Sequence, residues 1–517
     1  MAGNVRFPVA LGAENVTSLL SPPNLPLHTP SRRLASRPVV GVGLLLVGLL
    51  AWSLAPAALG QRSVAAAQVP LGGRQEALVN WPQWRGPLGT GVAPVSDAAV
   101  RFSATEGVKW KVEIPGRGQS SPIVWDDLVF VTTAVAAPDA NSPGERPHRR
   151  RSRVVAHDFR ILAIRRADGS VAWSQTAIVT TPHEGYHRML SSFANPSPVT
   201  DGERVYAFFG SRGLYAYDLD GEPQWSRDFG VAMESFGQFG EASSPALHGD
   251  TLVVVFDHQG QSFIEAVDSA TGATRWKQLR DEDTSWSSPY IVEVGDNGRA
   301  LVVTSGGNHV TAYDLGSGEV VWQAPGMTPR PIPTPVAGGG LLFVASGSPR
   351  RRVRAIALGS GAANAPGTDV WERDRAAPYN PSPLLWGDEL YLVRDGALNS
   401  GTSRLSLLDA PSGEAHYLNA ELPGRYTVKA SPVGAGDRVY LATEEGDVLV
   451  IRRGPVPEVM AVNAMGEPFV ASPAIAYGEL FLRGRTHLFC IAAPGSESTV
   501  PAALRLVGLS KAYGRTP

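Results

Sequence analysis

The stretch TGATRW, residues 271–276, is a glycine turn followed by a tryptophan, and near-copies of it recur along the chain. The copies are DGSVAW (168–173), DGEPQW (220–225), SGEVVW (317–322), GTDVW (367–371) and SGEAHY (412–417). The closing aromatic residues, counted from Trp173 to Tyr417 with Trp276 among them, are separated by 52, 51, 46, 49 and 46 residues. Sequence similarity at such a period indicates a repeat architecture.

A second recurring unit defines the repeat. Eight segments share a Ser/Thr-Pro start, an apolar pair, a Gly or Asp turn and an alternating apolar strand, and they begin at 120, 196, 243, 287, 333, 381, 430 and 471. Several are followed by a strand that ends in Asp, and then by the turn with its aromatic residue. Four short antiparallel strands per repeat are typical of a propeller blade.

The two ends of the repeat region complete each other. The eighth unit ends at HLFCIAAPG (487–495) without a tryptophan strand, whereas GVKWKVEIPG (107–116) carries Trp110 and has no inner strands before it. We therefore predict an all-β, eight-bladed propeller over 80–495, whose N-terminal strand closes the last blade. Residues 137–153 are a polar, Pro-rich loop insertion in blade one.

The remaining segments flank this propeller. Residues 1–37 are predicted to be a disordered leader, 61–79 a linker and 496–517 a C-terminal tail. The uncharged segment 38–60 follows three arginines, so it is a transmembrane anchor in the inner membrane or a signal peptide that is cleaved on secretion. With positive charge before the apolar run, both alternatives place the propeller outside the cytoplasm, on the periplasmic side.

Composition excludes several functions. The formal net charge of −2 gives no overall attraction to nucleic acid. The one cysteine, Cys490, excludes an intrachain disulfide, and its apolar surroundings predict a buried, inert thiol. No Walker A loop, Ser-His-Asp signature or HExxH motif is present, so no catalytic residue is predicted. We expect a monomeric propeller.

The Ser-Pro starts and the Asp-x-x-Thr-Gly-x-x-x-Trp turn resemble the pyrroloquinoline-quinone-like (PQQ-like) β-propeller repeat family. NWPQWRGPLGTGV (80–92) looks like the leader of a BamB-like, quinoprotein-like bacterial subgroup. The resemblance implies either a role in envelope assembly or quinone-dependent oxidation with pyrroloquinoline quinone and calcium. The family's quinone site commonly includes a vicinal disulfide, which a chain with one cysteine cannot form.

The repeat tryptophans have two possible roles, which are stacking on a quinone and docking between blades. Because an aromatic residue recurs in nearly every blade, whereas a cofactor needs one or two, we predict blade docking. The docking residues are Trp110, Trp173, Trp225, Trp276, Trp322 and Trp371.

Candidate binding residues come from positions where the repeats differ. In 181–199, His183 and His187 are spaced for two metal ligands on a helix, but Gly185 and the prolines disfavour a helix, so no metal site is predicted. Residues before each Ser/Thr-Pro should line the channel mouth. The candidates are His183, His187, Arg188, Asn195, Glu241, Trp286, Tyr379, Asn380 and Lys429. Their alternative role is to satisfy one another and channel water.

The sequence thus predicts an extracytoplasmic, non-catalytic scaffold that binds a protein or peptide partner at this mouth and along its loops and strand edges. The alternative is a quinone-dependent oxidoreductase, similar to alcohol or sugar dehydrogenases, with a degenerate site. The first prediction needs no cofactor, whereas the second needs pyrroloquinoline quinone and calcium.

Overall fold

The computed structural model describes residues 75–137, 152, 154–295, 298–359, 364–396 and 402–492, all within one compact unit, 64–517. The predicted leader, the apolar segment 38–60, the tail 496–517 and most of the insertion 137–153 lie outside the described residues. The last five linker residues form a short 3-10 helix, Gln75–Val79, with Ala77 fully buried. Within the described ranges, no helix is long and apolar enough to cross a membrane.

Eight β-sheets form the blades of the propeller, as predicted. The first four blades are sheets of four antiparallel strands. Blade one contains β3 (Ile123–Trp125), β4 (Leu128–Ala136), β5 (His157–Arg165) and β6 (Val171–Thr180); blade two contains β7 (Val199–Thr200), β8 (Arg204–Phe208), β9 (Leu214–Asp218) and β10 (Pro223–Arg227). Blade three contains β11 (Ala246–His248), β12 (Thr251–Phe256), β13 (Ser262–Asp268) and β14 (Thr274–Arg280); blade four contains β15 (Tyr290–Val294), β16 (Arg299–Ser305), β17 (His309–Asp314) and β18 (Val320–Pro325).

The second half of the chain repeats this order. Blade five contains β19 (Val336–Gly338), β20 (Leu341–Ser346), β21 (Arg352–Ala357) and β22 (Asp369–Asp374); blade six contains β23 (Leu384–Trp386), β24 (Glu389–Arg394), β25 (Arg404–Asp409) and β26 (Ala415–Glu421). Blade seven contains β27 (Val433–Ala435), β28 (Arg438–Ala442), β29 (Asp447–Arg452) and β30 (Val459–Ala464); blade eight contains β31 (Ala474–Ala476), β32 (Glu479–Arg483) and β33 (His487–Ala492). Further short 3-10 helices lie at Gly210–Arg212 and Phe236–Gln238.

Two strands from before blade one complete blades seven and eight. β2 (Val108–Glu113) pairs antiparallel with β33 and is the outer strand of blade eight, which confirms the predicted closure of the ring. β1 (Val92–Ala93), which the sequence analysis did not predict, pairs parallel with β27 at the inner edge of blade seven. The inner strands of most neighbouring blades contact each other, including β31 and β3 across the closure.

Burial follows the position of a strand in its blade. All six residues of β12 are buried between the neighbouring blades, whereas only Trp276 and Arg280 of the outer strand β14 are buried. This difference explains why the inner strands are continuous apolar runs, as expected for strands covered on both faces. The thiol of Cys490 in β33 is fully buried, and burial raises its pKa.

The repeat tryptophans lie against the turns of the following blades. In the repeat that contains TGATRW, Trp276 Nε1 donates to Leu315 O at 2.8 Å, and its ring covers Gly318 so closely that a Cβ there would lie 2.5 Å from the indole. Equivalent indole bonds to the next blade are made by Trp110, Trp173, Trp225 and Trp371. Trp322 packs on Gly367, but its Nε1 has no partner among the described residues, and the adjacent turn residues 360–363 are outside them.

Candidate functional site

The segment 80–93 crosses the central channel at the end of the inner strands away from their Ser/Thr-Pro starts. Trp81 exchanges backbone hydrogen bonds with Val124 of blade one, at 3.0 and 2.8 Å. Further along, Gly91 O accepts from Gly434 N of blade seven at 2.9 Å. Other contacts of this segment reach blades two, four, five and six. Because the segment contacts so many blades, it forms a floor across the channel.

Two side chains anchor the floor. Trp84 Nε1 donates to Thr334 Oγ1 of blade five at 3.1 Å. The guanidinium of Arg85 is almost completely buried and donates to the carbonyl oxygens of Pro383 and Pro432, each at 2.8 Å, and of Thr90 at 3.5 Å. Burial lowers the Arg85 pKa to about 9. Three backbone carbonyls therefore hold this cation where a carboxylate is usual.

One face of the floor bounds a cavity of about 480 Å³, which lies around the Ser/Thr-Pro starts of the inner strands. Trp84 contributes to its wall from the floor. One ring of wall residues consists of the serines and the threonine of the eight Ser/Thr-Pro starts: Ser121, Ser197, Ser244, Ser288, Thr334, Ser382, Ser431 and Ser472. A second ring consists of the residues two positions earlier: Gln119, Asn195, Ala242, Trp286, Ile332, Asn380, Lys429 and Val470.

The hydroxyl ring is a closed circuit of eight hydrogen bonds. The backbone N–H of each ring residue donates to the hydroxyl oxygen of the ring residue in the next blade, over 2.9 to 3.4 Å. Each ring hydroxyl oxygen thus accepts one of these hydrogen bonds. Within the described part of the chain, no ring hydroxyl donates its own proton to an acceptor. The ring therefore presents hydroxyl donors to the cavity.

Six of the nine predicted site residues line the cavity: His187, Asn195, Trp286, Tyr379, Asn380 and Lys429. Asn195 Nδ2 donates to Ser191 Oγ at 2.6 Å and Glu241 O at 2.8 Å, and Trp286 Nε1 donates to Gly240 O at 2.7 Å. The side-chain oxygen of Asn380 is buried and has no hydrogen-bond partner among the described residues.

The cations of the wall differ in how they are compensated. Lys429 Nζ lies 3.0 Å from Asp395 Oδ2, and both side chains are buried, so this pair is neutral overall. Arg351 donates to the backbone oxygens of Ala377 and Asp395 at 2.7 and 3.1 Å. Burial lowers the Arg351 pKa, although the Asp395 carboxylate opposes this shift. No described wall residue is an Asp or a Glu.

The other three predicted residues, His183, Arg188 and Glu241, lie outside this wall. Glu241 turns away from the channel: one carboxylate oxygen accepts from Ser211 N at 2.6 Å and the other lies 3.0 Å from Arg212 Nη2. The wall position predicted for Glu241 is occupied by Ala242, which is two residues before the ring serine. Arg188 is exposed, and its carbonyl accepts from Arg117.

His183, Glu184 and Glu241 bring potential metal-ligand atoms within 4.8 Å of one another. Ser235 already donates to Glu184 through its N–H, at 3.1 Å, and its hydroxyl, and the His183 Nε2 atom lies 2.7 Å from Met233 O. Burial, with a smaller contribution from Glu241, raises the Glu184 pKa. These side chains join the loop that follows β6 to the loop that follows β10. Each of them already has hydrogen-bond or ion-pair partners in the protein.

Several wall residues were not predicted from the sequence. The floor places Trp84, the loop after β10 places Phe239, and the segment before β21 places Arg351 in the wall. Gln119 and Ile332 occupy the second-ring position, so alignment of the repeats at the residue two before each ring Ser or Thr is the signal that finds them. No comparable repeat position indicates Trp84, Phe239 or Arg351.

The eight blades, the Trp-to-glycine docking and the Ser/Thr ring define the class of protein as a β-propeller of PQQ-like repeats. A family model described as "Outer membrane protein assembly factor BamB" matches residues 91–261 and 157–416. The chain belongs to this BamB family. A comparison with curated protein sequences finds no match.

Solved structures match this chain at low identity. BamB from Moraxella catarrhalis is 14% identical with a TM-score of 0.46, over 71% of this chain and 98% of that chain. Quinohemoprotein alcohol dehydrogenase from Comamonas testosteroni is 11% identical with a TM-score of 0.53, over 80% of each chain. A europium-containing methanol dehydrogenase is 9% identical with a TM-score of 0.58, over 80% of this chain and 98% of that chain.

The wall does not fit a quinone with calcium. Calcium prefers several oxygen ligands that include carboxylates, and no described wall residue carries a carboxylate. The carboxylate of Asp395 lies behind the wall and is paired with Lys429. Cys490, the one cysteine, lies inside blade eight rather than at the mouth.

Proposed function

We propose that this protein is a non-catalytic scaffold that binds an extended segment of a protein partner at the channel mouth. The observation that carries the proposal is the wall itself. The cavity has a floor at one end and is lined by a ring of hydroxyl groups and a ring of mixed side chains, and none of its described lining residues is a carboxylate. A peptide needs acceptors for its N–H groups and donors for its carbonyl groups. The Asn380 oxygen supplies an acceptor and the hydroxyl ring supplies donors.

Aromatic side chains support the same proposal. Trp286 and Tyr379 border the mouth together with Phe239 and provide apolar area beside these polar groups. Binding sites commonly combine apolar walls with a few placed polar groups. Burying a partner's apolar side chain against such rings provides much of the affinity.

The outer strands offer a second surface for the same role. β6 is ten residues long, and Val171 and Val179 on it are 47% and 62% exposed. An unpaired outer strand can pair with an extended segment of a partner. We propose that one monomeric propeller acts outside the cytoplasm, in envelope assembly, through the mouth and these edges. Membership of the BamB family supports this setting.

A quinone-dependent oxidation is the competing function. It would need a calcium site and a carboxylate base at the cavity, and the described wall provides neither. Titration of the full chain with pyrroloquinoline quinone and calcium, followed by tryptophan fluorescence and dye reduction, separates the two functions. Saturable quinone binding with substrate turnover would refute the scaffold.

Site-specific photo-crosslinking tests the proposal directly. A photoreactive phenylalanine analogue at Tyr379 should crosslink one envelope protein, and a synthetic peptide from the crosslinked segment should compete for the site. The same analogue at Val456, in the exposed turn between β29 and β30 and outside both the mouth and the outer strands, is the matched control. Equal crosslinking from both positions, or no competition by the peptide, would contradict binding at the mouth.

A further inference from the structure

A separate pocket opens beside the channel mouth, between blades eight and one. Its volume is about 160 Å³, and it is lined by the loop 116–119, the loop around Val470 and the turn Arg483–Arg485 between β32 and β33. Three of its lining residues are arginines: Arg117, Arg483 and Arg485. No described lining residue is acidic. We call this space the arginine pocket.

Arg483 is the most unusual of the three. It is 3% exposed, and burial lowers its pKa to about 9. One guanidinium nitrogen, Nη1, donates to the backbone carbonyl oxygen and to the hydroxyl oxygen of Ser120. The Nε and Nη2 groups donate to no described residue. A Cβ on Gly118 would lie 2.2 Å from Nη2, so this glycine leaves the space that the guanidinium occupies.

Buried arginines elsewhere in this chain have compensating partners. Arg280 is bound by Asp257 at 2.7 and 3.1 Å, and Arg354 lies 2.7 Å from Asp369. Arg85 has its backbone carbonyls instead. Burial of an uncompensated cation costs several kcal/mol in a protein interior. The absence of a described acidic partner for Arg483 therefore indicates that an anion supplies the compensation.

The other two arginines add positive charge at the same place. Arg117 stacks over the ring of Tyr186, with 5.3 Å between the guanidinium carbon and the ring centre. Burial lowers the Arg117 pKa, and the nearby positive charge of Arg485 lowers it further. Arg485 is exposed and has no hydrogen bond or ion pair to a described residue. Two cations that repel each other across a pocket favour an anion between them.

Nearby carboxylates compensate this charge in part. Glu467 precedes the pocket residue Pro468, but its oxygens accept from the backbone N–H groups of Thr486 and His487 and from the His487 ring. The Glu444 carboxylate is close enough to Arg485 for the two charges to interact, and burial raises the Glu444 pKa. Neither carboxylate forms an ion pair with Arg117 or Arg483 among the described residues.

We propose that the arginine pocket binds a phosphate group. A phosphate monoester carries a charge of about −1.5 to −2 at neutral pH, whereas a carboxylate carries one charge, and three guanidinium groups call for the larger charge. Planar guanidinium groups also bind phosphate oxygens in pairs of parallel hydrogen bonds. The phosphate comes from a soluble phosphate ester or from a lipid headgroup. This pocket adjoins the peptide-binding mouth, with which it shares Gln119, Val470 and Ala471, but its three arginines are not part of the mouth.

Titration calorimetry of the full chain with inorganic phosphate, against chloride at matched ionic strength, tests the site. We expect saturable binding that weakens at least tenfold in Arg485→Gln and in Arg117→Gln. Arg101→Gln is the matched control, because Arg101 is exposed and lies outside the pocket, and it should bind phosphate as the parent does. Arg485 is exposed, so its replacement should not prevent folding.

A second arm identifies the source of the phosphate. Vesicles of phosphatidylcholine with and without phosphatidic acid are mixed with the parent chain and with Arg485→Gln. Binding that requires both phosphatidic acid and Arg485 assigns a lipid headgroup, whereas phosphate binding without this vesicle dependence assigns a soluble ester. Absence of saturable phosphate binding, equal loss in Arg101→Gln, or tighter binding of acetate than of phosphate would overturn the proposal. Peptide capture at the mouth is measured separately, so each result stands alone.

Discussion

The backbone N–H of Ser472 donates to Ser121 Oγ at 3.0 Å and joins the last blade of the chain to the first. It completes the circuit of eight hydrogen bonds around the channel. On the outside, β2 pairs with β33 and closes the same junction. The propeller is therefore closed twice, by a hydroxyl ring at its axis and by a strand at its rim. A closed ring removes the free blade ends that would otherwise be exposed.

Replacement of Ser121 by alanine tests the inner closure. The Ser472 N–H lies in a buried region, and without the hydroxyl it has no acceptor. An unsatisfied buried donor costs about 1–3 kcal/mol, so Ser121→Ala should lower the free energy of unfolding by that amount. Urea unfolding followed by tryptophan fluorescence measures the change. Ser174→Ala, at an exposed position of β6, is the control and should change stability by about 0.5 kcal/mol or less. Equal effects of the two replacements would show that the ring bond does not stabilise the closure.

Docking of Trp276 on Gly318 can be tested from both sides of the contact. Trp276→Ala should cost about 3–5 kcal/mol, as for other buried aromatic residues. Gly318 has a φ of 76°, and a Cβ there would meet the indole at 2.5 Å. Gly318→Ala should therefore lower the free energy of unfolding for two reasons. Alanine in the left-handed conformation costs about 1–2 kcal/mol, and the overlap of its Cβ with the Trp276 indole costs about 1–3 kcal/mol more.

Gly466 supplies the matched control for this replacement. Its φ is 71°, and a Cβ there would meet nothing within 4 Å. Gly466→Ala should therefore lower the free energy of unfolding only by the cost of alanine in the left-handed conformation. The difference in unfolding free energy between Gly318→Ala and Gly466→Ala then measures the close approach of the indole. No difference between them would refute docking at this turn.

Acid should weaken the turn that follows β32. Burial opposes ionisation of Glu467, but hydrogen bonds from the Thr486 and His487 N–H groups and side chains outweigh it, so the Glu467 pKa is below its ordinary value of 4.5. A carboxylate whose pKa is lower in the folded state stabilises the fold above the unfolded pKa, and this contribution is lost as the pH falls through the folded pKa. Glu467→Gln should therefore destabilise the protein most at pH 7, and the difference from the parent should shrink below pH 4.5. Urea unfolding from pH 7 to pH 3.5 measures it. A difference that does not change with pH would contradict this assignment.

The fold could be predicted from the sequence because its determinants are local and repeated. The glycine turn before Trp276 and the Ser-Pro start at Ser244 recur with the same neighbours, so their copies define the blades. The strand that carries Trp110 was identified as the closing strand because no inner strands precede it in the sequence. The floor could not be predicted, since 80–93 follows no repeat pattern and is held largely by backbone bonds to distant blades.

The site was predicted in part for a related physical reason. Asn195, Trp286 and Asn380 each lie two residues before a ring serine, and the structure places them in the wall. Glu241 lies three residues before Ser244, and its side chain points toward Arg212. Successive side chains of extended backbone point to opposite sides, so the shift of one residue turns the Glu241 side chain away from the channel. Tyr379, which is also three residues before its ring serine, nevertheless borders the wall. Arg351 enters the wall from the connection between β20 and β21, and the length of this connection differs from blade to blade.

Asn380 provides the sharpest test of the mouth. Its side-chain oxygen is buried without a hydrogen-bond partner among the described residues, so Asn380→Ala removes an unsatisfied acceptor and should leave the unfolding free energy within about 0.5 kcal/mol of the parent. A partner whose N–H bonds to this oxygen would lose about 0.5–1.5 kcal/mol, which corresponds to roughly a two- to tenfold weaker Kd. Fluorescence anisotropy with the labelled peptide identified by crosslinking measures this change. Gln224→Ala, on the exposed face of the outer strand β10, is the control and should leave the Kd unchanged. A parent-like Kd for Asn380→Ala, or a stability loss as large as that of Ser121→Ala, would exclude Asn380 as a binding residue and assign it to the structure of the mouth.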